Sequence, residues 1–375
     1  MIYADYNATT PPLPTVVEAM TAVLRDGWGN PGAKQHTYGR RALAQLDQAR
    51  AEVAALINAR PDEIIFTSGA TEACNLAILG LGERLLASRP RMVTCATEHS
   101  AISEPLRRLA EAGADLTVLP VDAQGRLSGQ AVESALDDRT GLLALMLANN
   151  ETGVIHDVAA ASAMARRHGI LVVCDATQVV GKLPVDVTIL GADALACTGH
   201  KMYGPQGCGA LWIRRGLGLS AQLHGGSQER GLRPGTHNLP GIVGFAAACT
   251  AARAGLRART THLRVLSNQL EGLLRQGLPG IVIHGADAAR IPGTSMLTLP
   301  GLQSGWLGTL AEVAASNGSA CTTGEGSHVL RAMGCTAADA ANSIRISLGM
   351  PSTSDEVEHI AAALARGAHA LRGTR

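Results

Sequence analysis

Aromatic side chains are scarce in this sequence, and neither positive nor negative charge is in excess. Aromatic residues make up 2% of the 375 residues, so Ala, Gly, Leu and Val must fill the interior. The formal net charge is +1, and no block of Lys and Arg stands out. Nucleic acids and anionic membranes attract proteins through such basic surfaces. We therefore expect no nucleic-acid partner.

Signals for export, membrane insertion and metal binding are also missing. The start, Met1 to Tyr6, lacks the basic residues and apolar run of a signal peptide. No apolar stretch approaches the roughly 18 residues of a membrane span without an intervening Gly, Pro or charge. The eight cysteines are scattered singly, with no CxxC pair and no metal-finger spacing. The sequence predicts a cytoplasmic protein with no membrane segment and no metal, in which most cysteines are buried thiols.

The whole chain, at 375 residues, is long enough for about two domains. Short apolar strands alternate with helices along its first half. The predicted strands are Ile64–Thr67, Met92–Cys95, Leu116–Leu119, Leu142–Leu147, Ile170–Cys174 and Ala192–Cys197. The predicted helices include Pro14–Arg25, Arg40–Ile57, Ile102–Glu111, Ser128–Leu136 and Val158–His168. Such alternation predicts a largely parallel sheet with helices on both faces. Ligands bind beyond the carboxyl ends of its strands.

One lysine stands out in the stretch from Thr198 to Gly207, between a histidine and a glycine-rich turn. A strand that delivers a lysine into a loop of small residues suits an amine that is held still and approached closely. We interpret Lys201 as a Schiff-base lysine. The alternative is a surface lysine that happens to follow a strand.

A second candidate is the segment Ser68 to Glu72, where a strand turns through Gly69 into a helix. The free N–H groups at such a helix start attract anions, so phosphate is the expected guest. No Gly-Lys-Ser/Thr follows, which argues against a nucleoside triphosphate. The alternative is an ordinary capped helix.

Further polar residues follow the other predicted strands. Asp175 could keep a ring nitrogen protonated, as the pyridine of pyridoxal phosphate (PLP) requires, or could cap the next helix. His99 could stack on such a ring or be an ordinary loop residue. Gln178 and Asn150 could hold a phenolic oxygen or satisfy loop backbone. A lysine, a carboxylate, a phosphate-binding helix start and neutral donors together are what a PLP site needs.

Motifs spread over nearly the whole chain resemble the NifS/IscS-type cysteine desulfurases, which belong to the class V aminotransferase-like enzymes of fold type I. The motifs are Asp5-Tyr6-Asn7-Ala8-Thr9-Thr10-Pro11, Thr67-Ser68-Gly69-Ala70-Thr71-Glu72, Thr97-Glu98-His99, Asn149-Asn150-Glu151, Asp175-Ala176-Thr177-Gln178, Gly199-His200-Lys201, Gly318-Ser319-Ala320-Cys321 and Ser343-Ile344-Arg345-Ile346-Ser347-Leu348. The resemblance implies an α/β fold of a fold-type I PLP-dependent transferase. Its large domain, residues 13–245, would hold a mainly parallel seven-stranded sheet flanked by helices. Residues 1–12 and 246–375 would form a smaller α+β domain that carries the nucleophilic cysteine.

The resemblance also implies a role for each matching residue. Lys201 would form the Schiff base with PLP, Asp175 would pair with the pyridine nitrogen and Gln178 would bond the phenolic oxygen. His99 would stack over the ring and assist proton transfer, and Asn150 would lie beside the cofactor and the substrate carboxylate. The phosphate would be held by Ala70, Thr71, Thr198 and His200, with Thr236 reaching it from the neighbouring subunit of a homodimer.

Two residues in the second half indicate the substrate chemistry. Arg345 lies in a strand-like run and could grip an amino-acid carboxylate bidentately, the alternative being an edge-strand arginine. Cys321 lies among small and polar residues, which predicts an exposed and reactive thiol. By the resemblance, Lys201 shuttles protons while the Cys321 thiolate attacks the sulfur of L-cysteine. The products would be alanine and a persulfide on Cys321, for transfer to an acceptor protein.

Alternative functions stay open at this point. A selenocysteine lyase or a cystine C–S lyase would share the cofactor site without needing the Cys321 thiol, and a catalytically inactive homologue would serve only as a binding partner. The segment between Cys321 and Val329 is about two residues shorter than in the family's long-loop members. The sulfur acceptor therefore stays open among iron–sulfur cluster assembly, tRNA thiolation and DNA modification.

Overall fold

The main layer of the protein is a seven-stranded sheet. In the computed structural model, residues 1–302, 305–318 and 326–373 are described. The strands of this sheet are β2 (Ile64–Thr67), β3 (Arg91–Cys95), β4 (Asp115–Leu119), β5 (Thr140–Met146), β6 (Leu171–Asp175), β7 (Ala194–Thr198) and β8 (Gly209–Ile213). They lie in the order β2-β8-β7-β6-β5-β3-β4. Pairing is parallel from β7 to β4, while β8 runs antiparallel to both of its neighbours.

Helices cover both faces of this sheet, and the side chains of each strand divide between them. The helices of the first half are α1 (Pro14–Asp26), α2 (Thr37–Leu56), α3 (Ala70–Leu85), α4 (Ser100–Glu111), α5 (Gly129–Ala135), α6 (Val158–Arg167) and α7 (Val187–Leu190). In β5, Leu142 and Ala144 face the core under α3 and α4, whereas Leu143 and Leu145 face the core under α1, α2 and α6. This alternation follows from the two-residue period of a strand. Burial on both faces explains why β5 is apolar almost throughout.

A second, separate core forms around a three-stranded antiparallel sheet. Its strands β9 (Val282–His284), β10 (Thr294–Thr298) and β12 (Ile344–Ser347) lie in the order β12-β10-β9. The helices of this half are α8 (Leu239–Gly277), α9 (His328–Ala332), α10 (Ala337–Ala341) and α11 (Ser354–Gly373). The chain start joins this half, because β1 (Ile2–Tyr3) pairs with β11 (Val313–Ala314) and Ala4 is buried in the second core.

The long helix α8 connects the two cores. Its first part contributes Phe245 to the core of the large sheet, and its later part contributes Leu266 and Leu270 to the second core. By length and composition alone α8 could cross a membrane, but half of its apolar window is buried inside the protein. The apolar surface of α8 is thus explained by packing against α1, α2 and α11.

The structure confirms the predicted α/β architecture and departs from the expected details in two places. The strand β8 was not predicted, because it follows a glycine-rich turn without an intervening helix. Helix α2 begins three residues earlier than expected, at Thr37. Among the described cysteines Cys335 is partly exposed, whereas the other six are buried.

Candidate active site

The carboxyl ends of β5, β6 and β7 and the starts of α3 and α4 surround a cavity of about 590 Å³. All nine of the cofactor-binding residues predicted between positions 70 and 201 line it: Ala70, Thr71, His99, Asn150, Asp175, Gln178, Thr198, His200 and Lys201. Arg345 of β12 and the N-terminal residues Asn7 to Thr9 close the cavity from the second core. The cavity therefore lies where the two halves of the chain meet.

Lys201 ends a short 3-10 turn directly after β7. Its Nζ donates hydrogen bonds of 2.6 Å each to the main-chain oxygens of Asn7 and Ala8. The turn is tightly packed at Gly199, where a Cβ would lie 3.1 Å from the carbonyl oxygen of Pro205. The glycine-rich surroundings thus hold the lysine amine at one place in the cavity wall.

Asp175 closes β6 and is 7% exposed. Its Oδ1 accepts a hydrogen bond of 2.9 Å from the amide of Thr177, so the carboxylate also fixes the turn that follows. Below it lies Glu98, which is almost fully buried and accepts a hydrogen bond from the Met146 amide. Burial, together with the charge of Asp175, holds the pKa of Glu98 well above its usual range despite that hydrogen bond. Burial thus favours the neutral form of Glu98, and Asp175 is the member of this pair that lines the cavity.

His99 is the N-cap of α4 and accepts a hydrogen bond of 3.1 Å from the Ala101 amide at Nδ1. The acceptor role places its ring proton on Nε2. Burial is the main cause that lowers the pKa of His99, and the charge of Lys201 lowers it further. The imidazole is accordingly neutral at pH 7 and carries on Nε2 a proton that it can donate and take back.

The start of α3 has the form of an anion site. Its N-cap residue is Gly69, which offers no side chain to bond the first N–H groups of the helix. Both Ala70 and Thr71 at this start line the cavity. A Cβ on Gly209 of β8 would lie 2.7 Å from Gly69, so the neighbouring strand holds the turn in place. Unbonded N–H groups at the positive end of a helix dipole favour a phosphate.

Two further predicted phosphate ligands lie opposite the start of α3. Thr198 is buried, and its Oγ1 donates a 3.0 Å hydrogen bond to the Cys208 carbonyl. His200 contacts Thr9, with 3.2 Å between Nδ1 and the Thr9 Oγ1. Burial and the charge of Lys201 lower the pKa of His200 to about 4, so its ring is neutral.

Arg345 lies in the cavity wall at 2% exposure. Its Nη2 forms an ion pair of 2.6 Å with Asp5, and its Nη1 donates to the main-chain oxygen of Asn150. Its Nε has no hydrogen-bond partner among residues 1–302, 305–318 and 326–373. A buried N–H group without a partner is costly, and an anionic ligand would supply one.

Thr236 and Cys321 are not part of this arrangement. Thr236 is exposed and does not line the cavity of its own chain. Cys321 lies outside the described residues. The residues on either side of that segment lie near one carboxylate: Ser327 donates a hydrogen bond to Oε2 of Glu151, and a Cβ on Gly318 would lie 3.1 Å from the same oxygen. Because Glu151 follows Asn150, both ends of the segment meet at the edge of the cavity.

The loop that carries Thr236 is fixed by a buried carboxylate. Glu229 forms ion pairs of 2.6 Å with Arg50 and 2.7 Å with His237. These partners outweigh burial and lower the pKa of Glu229 to about 2. Both Glu229 and Arg230 adopt positive φ values, 47° and 60°, which side chains rarely tolerate. The ion pairs therefore hold a strained turn in this loop.

Comparisons with known proteins place the chain in a family. The family model of the class V aminotransferases matches residues 2–360. The chain belongs to the aminotransferase class-V family.

Named relatives within this family are cysteine desulfurases. The cysteine desulfurase IscS of Anaeromyxobacter sp. (strain Fw109-5) is 41% identical over 96% of this chain and 90% of the relative. A solved structure described as a NifS-like protein has a TM-score of 0.91 and 33% identity, over 97% of this chain and 98% of that one. A structure described as SspA in complex with cysteine has a TM-score of 0.83 and 33% identity, over 93% and 99% of the two chains. The resemblance inferred from the sequence motifs is thereby confirmed.

Class V aminotransferases of the cysteine desulfurase type bind PLP, and the residues present fit that cofactor. The start of α3 has no side-chain cap and is open to a phosphate, and Lys201 and Asp175 supply an amine and a carboxylate. Within the described part of the chain no group of His, Cys, Asp and Glu could hold a metal ion. The donor set of the cavity therefore suits an anionic aromatic aldehyde.

Three residues of the cavity region were not assigned a role from the sequence. Asp5 pairs with Arg345, and Asn7 contacts both Lys201 and Lys182. Lys182 is buried and donates to Gln178. The first two belong to a motif that was recognised, but pattern alone does not show which partners they meet. Lys182 lies in an apolar stretch, and a buried lysine between apolar residues is the signal that could have indicated it.

Proposed function

We propose that the chain is a PLP-dependent cysteine desulfurase that converts L-cysteine to L-alanine and leaves the sulfur on Cys321 as a persulfide. One observation carries the proposal: Lys201, Asp175, His99 and Arg345 line the same cavity. The residues that flank the Cys321 segment lie at the edge of this cavity, near Glu151. The relatives named cysteine desulfurase, at about 40% identity over 96% of the chain, support the same activity.

The chain's own residues would hold the cofactor and move the protons. When bound, PLP withdraws electrons from the Cα of an amino acid and makes its proton acidic. Asp175, the member of the buried carboxyl pair that lines the cavity, would hold the ring nitrogen, and Gln178 the phenolic oxygen. Lys201 Nζ and the neutral His99 would take and return protons at the substrate carbons. Arg345, whose Nε is unpartnered among the described residues, would bind the substrate carboxylate.

The sulfur transfer balances without an external oxidant or reductant. The Cys321 thiolate attacks the substrate sulfur, the S–S bond forms and the C–S bond breaks with its electron pair remaining on carbon. Protonation of that carbon completes alanine, and the persulfide keeps the second sulfur. The sulfur then passes to an acceptor protein, and the IscS name of the relatives favours iron–sulfur cluster assembly as its destination.

We further propose a homodimer in which Thr236 completes the phosphate site of the neighbouring subunit. Its exposure and its distance from the cavity of its own chain support this role. We also propose a large domain of residues 13–245 and a small domain of residues 1–12 and 246–375; two separate hydrophobic cores support two domains, and the core of the large sheet continues along α8 to Ala252. A cytoplasmic location stays a prediction.

Replacing Cys321 by Ala tests the function. The variant should bind PLP normally and lose alanine formation from L-cysteine by at least about a hundredfold, because no thiolate accepts the sulfur. Unchanged alanine formation would favour a selenocysteine lyase or a cystine C–S lyase. Wild-type protein that stays colourless after incubation with PLP would instead indicate an inactive homologue.

A further inference from the structure

Lysine is rare in this chain, and two of its lysines lie at the candidate site. Of the 32 Lys and Arg residues only Lys34, Lys182 and Lys201 are lysine. Lys34 is exposed, whereas Lys182 is 8% exposed and lies beside the cavity residues. Arginine supplies the positive charge elsewhere in the sequence. An ammonium group is compact and donates in three directions, so position 182 requires features that a planar guanidinium lacks.

Two neutral amides receive the hydrogen bonds of Lys182. Its Nζ donates to Oδ1 of Asn7 at 2.7 Å and to Oε1 of Gln178 at 2.9 Å. Burial, followed by the charges of Lys201, Arg345 and Arg259, lowers the pKa of Lys182 to about 7. These cations face it from the turn after β7, from β12 and from α8. The ammonium group is thus held by amide oxygens within a cluster of positive charges.

The contact with Lys182 determines which way the Gln178 amide points. An ammonium group has donors only, so the amide oxygen must face it and the Nε2 group must face away. Nε2 donates one hydrogen to the Asn7 carbonyl at 3.1 Å, which leaves the other for the cavity that Gln178 lines. The Asn7 carbonyl, which can only accept, favours the same orientation, so the ammonium group and this carbonyl fix the amide together.

The main chain at position 182 is held from two sides. Thr260 of α8 donates to the Lys182 carbonyl at 2.7 Å, and Arg259 donates to the Gly181 carbonyl at 2.8 Å. Gly181 has a φ of +81°, and a Cβ there would lie 2.7 Å from the Cβ of Met202. The Lys182 turn therefore packs against Met202, the residue that follows Lys201, and is held there by hydrogen bonds from α8.

We propose that Lys182 is a positioning residue of the candidate site, which fixes the Gln178 amide as a donor toward the cavity and keeps a positive charge beside Lys201. The proposal rests on the PLP-dependent function proposed above. A neighbouring cation disfavours a proton on Lys201 Nζ, and a donor amide favours an anionic oxygen on the ligand. Both effects come from one side chain that need not touch the cofactor.

Two substitutions separate the charge of Lys182 from its shape. K182M removes the charge at similar length, K182R keeps the charge on a larger head, and K34M is the matched control on an exposed lysine. The measurements are the pH midpoint of the visible absorption band of the PLP-loaded protein and the PLP affinity of the apoprotein. K182M should raise the midpoint by about one pH unit and weaken PLP binding about tenfold. K182R should keep the midpoint but bind PLP more weakly, and K34M should match the wild type.

The results distinguish this proposal from the function on which it rests. Wild-type protein that does not bind PLP would overturn the proposed function, and the role of Lys182 with it. Wild-type protein that binds PLP, together with a K182M variant that matches K34M in midpoint and affinity, would overturn the role of Lys182 alone. If circular dichroism shows that K182M does not fold, K182R decides: a PLP affinity equal to that of K34M would contradict the positioning role.

Discussion

Two cavities open at opposite edges of the same sheet, and the larger one is not the candidate site. The cavity at the carboxyl edge has a volume of about 590 Å³, whereas one at the amino edge, beside Asp193 and Arg214, has about 780 Å³. At the amino edge the charges neutralise each other at the surface, as in the Arg214–Asp193 pair at 2.8 Å. At the carboxyl edge buried groups converge without such exposed pairs. The position of the candidate site is therefore explained by the direction of the strands and not by the volume of the cavity.

The reason lies in the direction of the parallel strands. Each strand from β5 to β7 is followed at its carboxyl end by a turn with polar side chains, and these turns meet at one edge. The amino edge receives the ends of helices instead, where Arg166 bonds the Gly191 carbonyl and Asp193 bonds the Val172 amide. These polar side chains at the amino edge form hydrogen bonds with main-chain groups. Substitutions at the two edges should accordingly differ in kind.

The largest effect is expected for Lys201→Ala. Loss of Nζ removes the only lysine among the cavity-lining residues of the described chain. We expect alanine formation from L-cysteine to fall at least about a thousandfold, with loss of the visible band. Lys34→Ala is the matched control and should behave as wild type. Activity within tenfold of wild type would remove Lys201 from the mechanism.

Asp175→Asn should have the next largest effect. The amide can still accept the hydrogen bond from Thr177, so the melting temperature should stay close to that of the wild type. Without the negative charge a protonated ring nitrogen is no longer favoured, and kcat should fall about a hundredfold. Steady-state kinetics and a thermal melt measure the two quantities. A variant that loses stability and activity together would indicate that Asp175 is a structural residue.

Acid should destabilise the carboxyl edge through His156, which follows β5 and is 3% exposed. Neither ring nitrogen has a partner among the described residues, and burial lowers the pKa of His156 to about 4. The unfolded chain binds the proton near its ordinary pKa of about 6.5, so stability present at pH 7 is lost as the pH falls from about 6.5 to 4. Between pH 7 and pH 5 the loss should be about 2 kcal/mol.

Urea unfolding of the wild type and of His156→Leu at these two pH values measures that loss. The leucine variant should lose less free energy of unfolding between pH 7 and pH 5, whatever its stability at pH 7. Equal losses in both proteins would show that His156 is charged or accessible in the folded state.

The smallest effect is expected at the amino edge, for Arg214→Ala. The side chain is about half exposed and its ion pair with Asp193 lies at the surface. Exposed pairs contribute less than about 1 kcal/mol, so the free energy of unfolding should change by no more than this. The kcat/KM for L-cysteine should stay within twofold of the wild type. A large loss of activity would show that the two edges are coupled and would break the contrast between them.

Much of the large sheet could be predicted from the sequence, because its strands are apolar on both faces and are separated by helices. The residues at the strand ends, such as Asp175 and Lys201, could be predicted for the same reason. The antiparallel strand β8 could not, since a strand that returns after a tight turn lacks the βα pattern. The roles of the candidate site residues stay predictions, and Cys321 lies outside the described residues.

The protonation state of Glu98 and the partners of Lys182 were also beyond the sequence. Both depend on which groups from distant parts of the chain surround them. The pKa of Glu98 is raised because the group is buried and lies near Asp175, which ends another strand. Lys182 is held by Asn7, a residue 175 positions away.

By itself the sequence determined the fold class, the family and the set of chemical groups, because local periodicity and motif spacing are properties of neighbouring residues. Only the tertiary structure decided which of these groups meet. In the folded chain Lys201 donates a hydrogen bond to Asn7 of the chain start, and Asp5 pairs with Arg345. Lys182 donates a hydrogen bond to Gln178. Burial and the charges of distant neighbours set the pKa values of these groups, and such quantities exist only once the chain has folded.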